Sequence, residues 1–215
     1  MPAVAAIVLA AGGSTRMGRP KQLIEYEGES LVHRAARHAA EAGCNPIIVV
    51  TGRDHGAVAA SLMDLSVTCV QNERWAGGLG TSIKAGLTAF SCDRRLARAS
   101  DGDTGETPVV QAVLIHLCDQ PLIDGSKLRR LLDSWNTSAK PVAVSAWNDT
   151  IGPPVVVDAS LFAHLAALPD DSGAKAIWAD HPDWIERVDC PAAAFDVDTP
   201  ADLAALPSAP AVDRQ

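Results

Sequence analysis

Aromatic residues are scarce in this chain, at 4% of 215 positions, and its 18 Lys and Arg are outnumbered by 26 Asp and Glu. A net charge of −8 argues against nucleic-acid binding through a general basic field, and so few rings leave little for base-stacking platforms. No apolar run reaches the length of a membrane span, and the N-terminus lacks the basic flank and cleavage pattern of a signal peptide. Cys44, Cys69, Cys92, Cys118 and Cys190 are odd in number and show no C-x-x-C spacing, which points away from a disulfide framework and from a zinc knuckle. These absences predict a cytoplasmic protein with no membrane and no nucleic-acid partner, in which any anion binding is local.

What the chain does have is 47% apolar residues and a length that suits one domain, expected over residues 1–206 with a disordered tail at 207–215. Val4 to Ala11 is a continuous apolar run, the pattern of a strand buried on both faces of a parallel sheet. Gly12 and Gly13 follow, expected to adopt angles that a Cβ would forbid and to turn amides toward an anion. Arg16, Arg19 and Lys21 come next, with Lys21 read as a surface-loop cation whose loss would leave the fold intact. A polyphosphate fits this convergence at the carboxyl end of a strand, although a glycine turn with solvated cations remains an alternative. Known phosphate motifs fail: Arg19 and Pro20 stand where a Walker loop needs Lys and Ser/Thr, and Ser14 and Met17 interrupt G-x-G-x-x-G.

Downstream, Ser30 is placed to cap a helix with an apolar face from Leu31 to Ala40, a solvated face carrying His33 and His38, and Gly43 as its left-handed end. Pro46 to Thr51 and Val67 to Val70 read as strands around a short helix from Asp54 to Met63. A second glycine-rich turn, Gln71 to Ser82, leads into a helix, so Thr81 and Ser82 can contact a base or ribose or merely cap the helix. Residues 92–107 read as a mobile insertion. Ala112 to Cys118 is a buried strand ending in Asp119, either a Mg²⁺ ligand across the crevice from the phosphate loop or a helix cap; His116 and Cys118 are not read as a zinc pair. Helices are expected over about 126–135, 159–167 and 171–179, and a strand over Pro141 to Ser145. Gly152 to Val157 reads as an irregular strand, its prolines favouring an edge or ligand-facing position. A last strand is expected to end at Phe195 to Asp198, where Asp196 and Asp198 offer carboxylates and Thr199 with Asp202 forms a capping box. The expected fold is α/β, three-layer and Rossmann-like, its mostly parallel sheet flanked by helices with one late strand antiparallel.

Leu9 to Gly18 with Lys21, Asp119-Gln120-Pro121, Gly152-Pro153-Pro154, Asp171-Ser172-Gly173-Ala174-Lys175 and Asp198-Thr199-Pro200 together resemble the molybdenum cofactor cytidylyltransferases, within the nucleotidyltransferases of nucleotide-diphospho-sugar fold. Cys118 and Val157 depart from that pattern, where Gly and Phe are usual. The resemblance implies Mg²⁺-dependent transfer from CTP to a molybdopterin-type acceptor, with release of pyrophosphate and a molybdoenzyme or its chaperone as a further partner. It implies Arg16, Lys21 and Asp119 as catalytic residues and Asp119 with Asp198 as the metal pair. Leu9, Ala10, Ala11, Gly12, Gly13, Ser14, Arg16, Lys21, Thr81 and Ser82 are the implied nucleotide contacts. Ala11 stands where guanine-using relatives carry Gly, which favours CTP over GTP. Two other readings stay open: a nicotinamide-dependent oxidoreductase of a small pigment, and a non-catalytic nucleotide-binding chaperone.

Overall fold

The computed structural model describes residues 2–14, 17–90 and 110–207 in full, and 91–100 as backbone. Strand β1, Val4–Ala10, is buried at every position and is an interior strand, third from one edge of a seven-stranded sheet. The order of the remaining elements is β2 (Glu25–Tyr26), β3 (Glu29–Ser30), α1 (Leu31–Glu41), β4 (Ile47–Thr51), α2 (His55–Ala60), β5 (Thr68–Gln71) and α3 (Leu79–Ser100). After the undescribed 101–109 come β6 (Ala112–Leu117), α4 (Gly125–Thr137), β7 (Val142–Trp147), β8 (Thr150–Asp158), α5 (Phe162–Ala166), β9 (Ile185–Asp189) and α6 (Pro200–Ala204). The sheet order is β5-β4-β1-β6-β8-β7-β9, with β2 and β3 forming a separate hairpin. β1 pairs in parallel with β4 and β6, in register from Val4↔Ala112 to Leu9↔Leu117. β8 alone runs antiparallel, to both β6 and β7.

Helices cover both faces, which explains why the strands carry apolar residues without alternation. Val4, Ala6 and Val8 pack on one face with Val32, Ala36, Leu128 and Leu131 of α1 and α4. Ala5, Ile7 and Leu9 pack on the other with Ile83 and Leu87 of α3 and Leu165 of α5. Each fully buried Leu, Ile or Val contributes about 1.5–3 kcal/mol, so the two clusters are what hold the layers together. The helix ends follow local chemistry. Ser30 Oγ accepts from the His33 amide, Asp124 caps α4 by accepting from the Lys127 amide at 2.9 Å, and Gly43 ends α1 at φ +89°. Thr199 and Asp202 form the expected capping box.

Several expectations are corrected. β8 is interior, not an edge: its partners on β7 jump from Val144↔Val155 to Ser145↔Gly152, so Pro153 and Pro154 occupy a bulge where no ladder donor is needed. The helix expected over 171–179 shrinks to a 3-10 turn, Ala174–Ile177, because Gly173 precedes it and His181, before Pro182, is barred from helical angles. The last strand is Ile185–Asp189, while Phe195 to Asp198 carries no strand pairing. The backbone of 92–100 continues α3, and 101–107 lies outside the described residues. His38 is buried at 6% exposure with Nδ1 against Glu41 at 2.8 Å, and His33 pairs with Asp64 at 3.0 Å, so neither is a merely solvated face residue. Of the expected tail, Pro207 accepts from Tyr26 Oη at 2.9 Å, and 208–215 are outside the described residues.

Candidate active site

Strand alternation decides which residues beyond β1 can touch a ligand. Leu9 and Ala11 face the α3 side, whereas Ala10 joins the cluster on the α1 side. The loop that follows is shaped by a buried amide. Gln22, 2% exposed, donates from Nε2 to the carbonyls of Ala10 at 3.0 Å and Gly12 at 2.6 Å. Ser14 Oγ accepts from the Lys21 amide at 2.9 Å, tying the loop to the 3-10 turn Lys21–Leu23. Gly12 is not left-handed, and a Cβ there would make ordinary contact with Lys21 Cε at 3.7 Å. The positive φ angles belong instead to Ser14 at 51° and Gly18 at 68°, which corrects the reason expected for Gly12. Arg16 lies outside the described residues.

Three chain segments meet at Lys21. β6 carries Asp119 past the end of the sheet beside β1, and the Asp119 carbonyl accepts from the Val197 amide at 2.8 Å, which sets the 196–198 segment alongside. Lys21 Nζ then pairs with the Asp119 carboxylate and with Asp198 Oδ1 at 2.8 Å. The Lys21 and Asp119 side chains are only 14% and 15% exposed, so Lys21 is no surface cation. Burial alone would lower the lysine pKa, but the two carboxylates outweigh it and hold the ammonium well above the usual range. Asp119 Oδ1 is buried with no protein partner. Asp196, though exposed as a residue, has its carboxyl crowded at this mouth: desolvation first, then Asp119 and Asp198, push its pKa up to about 6 against the pull of Gln120 and Lys21. Cys118, fully enclosed beside Asp119, is held as a thiol by burial.

The donor set fits a hard divalent cation. Two carboxylates face one position now bridged by an ammonium, and one of their oxygens is orphaned and buried. Among the described residues no group of three His, Cys, Asp or Glu forms a closed protein cage. Mg²⁺ matches that arrangement, because it takes one or two carboxylates and completes its shell with water and substrate phosphates.

Beside Lys21 opens a cavity of about 360 Å³, within the range that encloses nucleotide-sized ligands. Leu9, Ala11, Gly12 and Gly13 form one wall, and Trp75, Ala76, Gly78, Leu79 and Ser82 form the opposite one. Ala10 and Thr81 are not brought to it. Thr81 is 4% exposed, accepts from Asn72 Nδ2 at 2.9 Å and donates to the Gly78 carbonyl at 2.7 Å, so its hydroxyl is spent on the turn. Ser82 Oγ accepts from the same Asn72 amide at 3.0 Å and keeps a proton to donate into the cavity. The far wall is pinned from outside: Asp170 pairs with Arg74 and Lys84, its carbonyl accepts from the Thr81 amide, and Gly80 lies so close to the Pro169 carbonyl that a Cβ would stand 2.1 Å from it.

Gln22, Asn72, Trp75 and Asp170 were missed by sequence reasoning. Buried amides such as Gln22 and Asn72 leave no periodic trace, and Trp75 in a glycine-rich turn was the one available signal. A smaller, apolar cavity of about 160 Å³ adjoins the first through Leu9, Leu79 and Leu117. A further hollow, about 610 Å³, sits at the amino ends of β1 and β6 around Pro2, Gln111 and Lys140, opposite the loops where ligands of such sheets bind.

The family described as MobA-like NTP transferase domain matches residues 6–185. Nicotine blue oxidoreductase of Paenarthrobacter nicotinovorans is 30% identical over 197 residues, covering 88% of each chain. The molybdenum cofactor cytidylyltransferase of Escherichia coli K12 is 32% identical over 94 residues, which span 43% of this chain and about half, 48%, of that one. Among solved structures, Rv0371c of Mycobacterium tuberculosis H37Rv is 26% identical, with a TM-score of 0.71 over 95% of this chain and 97% of its own. A complex of that protein with manganese superimposes with a TM-score of 0.64, again at 26% identity and the same coverage. With the family model matched over most of its length, this protein belongs to the MobA-like NTP transferase domain family.

Proposed function

We propose that residues 1–206 act as one Mg²⁺-dependent cytidylyltransferase that moves CMP from CTP to a phosphate-bearing acceptor in the cytoplasm. The observation that carries this reading is Lys21 held between Asp119 and Asp198 at the mouth of the nucleotide-sized cavity. An oxygen of the acceptor phosphate forms a bond to the α-phosphorus, the bond to the bridging oxygen breaks, and pyrophosphate leaves with that electron pair. A phosphate monoester is already nucleophilic at neutral pH, so the protein's task is placement and charge neutralisation. The Gly12 to Ser14 amides and Arg16 take the β- and γ-phosphates, and Lys21 takes the α-phosphate and leaving oxygen. Asp119 and Asp198 would hold Mg²⁺, which would supply further neutralisation of charge on the phosphates. Ala11 and Ser82 contact base and ribose, in place of the expected Thr81. The sequence motifs favour molybdopterin as acceptor, with a molybdoenzyme or its chaperone as the onward partner.

Pyrophosphate release from each NTP, with Mg²⁺ and with or without molybdopterin, tests the reading. CTP should exceed GTP by roughly 10²-fold or more in kcat/KM. A preference for GTP overturns the cytidine assignment, and absence of pyrophosphate with every NTP overturns the enzyme. The relative named an oxidoreductase raises a second reading, because it covers 88% of this chain. The failed dinucleotide fingerprint opposes it, and nicotinamide oxidation in a dye-reduction assay without pyrophosphate release would establish it.

A further inference from the structure

The apolar cavity beside the nucleotide site has a specific chemistry. Its 160 Å³ is enclosed by Ile83 of α3, Ile115 and Leu117 of β6, Val144 of β7 and Val155 of β8, with Trp178 as a further wall. Trp178 is 3% exposed, and its indole Nε1 is buried without a hydrogen-bond partner. A buried donor left unpaired is costly, so this N–H is either a defect or a place kept for a ligand acceptor. The bulge at Gly152-Pro153 and the exposed residue Lys175 also line the space. Leu79, 38% exposed, borders both cavities. An apolar protein cavity of about 150 Å³ accommodates one benzene ring, and a complete small-molecule site needs at least about 300 Å³. The smaller space is therefore the end of a site that continues into the larger one.

We propose that this cavity seats a flat, weakly polar ring of the acceptor, one six-membered ring deep, with a single ring or exocyclic acceptor atom on the Trp178 N–H. The phosphate of the same molecule then points back toward Lys21 and the CTP α-phosphorus, with Lys175 at the mouth as a second cation. The inference rests on the nucleotidyl-transfer reading and narrows its acceptor. The ring that these mostly apolar walls select carries one hydrogen-bond acceptor at this end and little other polarity.

The test uses the full chain with Mg²⁺ and CTP, and three probes: pyridin-3-yl phosphate, phenyl phosphate and glycerol phosphate. Both aromatic probes should bind at least about tenfold more tightly than glycerol phosphate, the difference expected for burying a ring. Only the pyridyl probe should shift the indole N–H resonance of Trp178, assigned through its loss in Trp178→Phe. Trp178→Phe should weaken the pyridyl probe about tenfold and leave phenyl phosphate and CTP unchanged, the size expected for one hydrogen bond. Ile151→Phe, at the partly buried rim, should exclude both aromatic probes while CTP still binds. Equal binding of all three probes, an unmoved Trp178 resonance, or undiminished binding of the two aromatic probes to Ile151→Phe overturns the proposal. Failure of the nucleotidyl-transfer reading itself looks different: the ring-dependent binding persists and no pyrophosphate appears with any acceptor.

Discussion

Lys21→Ala separates the structural part of Lys21 from the catalytic part proposed for it. A lysine expected in an exposed loop would affect turnover alone, but this side chain is 14% exposed and pairs with two carboxylates. At 2.8 Å and an effective dielectric of 20, the pair with Asp198 has a Coulomb energy of about 6 kcal/mol, an upper bound that desolvation largely offsets. Removing one partner from a buried pair typically costs about 3–5 kcal/mol, because the other charge is left uncompensated. Asp198 is 46% exposed and well screened, which places the expected loss at or below the bottom of that range, about 2–3 kcal/mol. Turnover should fall by roughly 10²- to 10³-fold, the usual effect of losing one preorganised electrostatic partner of a transition state. Mg²⁺ should recover much of the lost stability, by neutralising Asp119 and Asp198, without recovering the rate. Urea unfolding with and without Mg²⁺, beside pyrophosphate release at saturating CTP, measures both effects. Unchanged turnover would remove Lys21 from the mechanism, and unchanged stability would show that the buried carboxylates tolerate one another without it.

For the metal, Asp119→Asn and Asp198→Asn should each raise the Mg²⁺ concentration needed for half-maximal rate, since an amide brings no charge; metal titrations that overlay the unmodified protein would make both carboxylates structural. Gln22→Leu leaves the Ala10 and Gly12 carbonyls without their donor, at about 1–3 kcal/mol, and should raise KM for CTP about tenfold with a smaller change in kcat; an unchanged KM would show that the loop holds its shape unaided. His116 is fully buried with both ring nitrogens unpartnered, and burial, with a smaller push from His38, lowers its pKa to about 3. Its folded pKa lies below the unfolded value of about 6.5, so its contribution to stability is complete above that pH and is lost as pH falls toward 3. His116→Phe should flatten urea-derived stability between about pH 6.5 and 4; parallel curves for the two proteins would clear His116 of the effect.

The parallel half of the sheet was legible because its strands are short apolar runs ended by glycine or carboxylate. Burial on both faces erases alternation in β1, β4 and β6, and a run of that length fits a strand better than a helix. The antiparallel half was harder, for opposite reasons in β8, whose edge alternative fails, and in β9, whose position was not foreseen. β8 carries two prolines, which argue for an edge unless a bulge is known to receive them, and that bulge is a property of the pairing with β7. β9 has the composition of an exposed segment, Ile185-Glu186-Arg187-Val188-Asp189, because it is a true edge and charge protects it from pairing further.

The site divides along the same line between local and relational information. Asp119 could be placed near the phosphate loop from sequence because adjacent parallel strands end together, and β6 does lie beside β1. Lys21 and Asp198 stand 177 positions apart, and their meeting depends on the Val197 amide finding the Asp119 carbonyl after the chain has crossed β8, β7 and β9. Motif resemblance placed Asp198 with Asp119 but did not foresee Lys21 between them, and periodicity contained no trace of either contact. Gln22 shows what neither source supplies. It follows a cation in a turn-prone stretch, and nothing local separates it from a solvated glutamine, yet its amide fixes the two carbonyls that shape the phosphate loop. A glycine-rich loop needs such a partner because its own residues bring backbone freedom and no side chain to restrain it. The residue that holds an anion loop in shape should therefore be sought among buried amides that donate to the carbonyls of the loop, on whatever element packs beneath it. In this chain that element is the turn carrying Lys21, so the phosphate loop and the cation beside it are positioned by the same three residues, Lys21–Leu23.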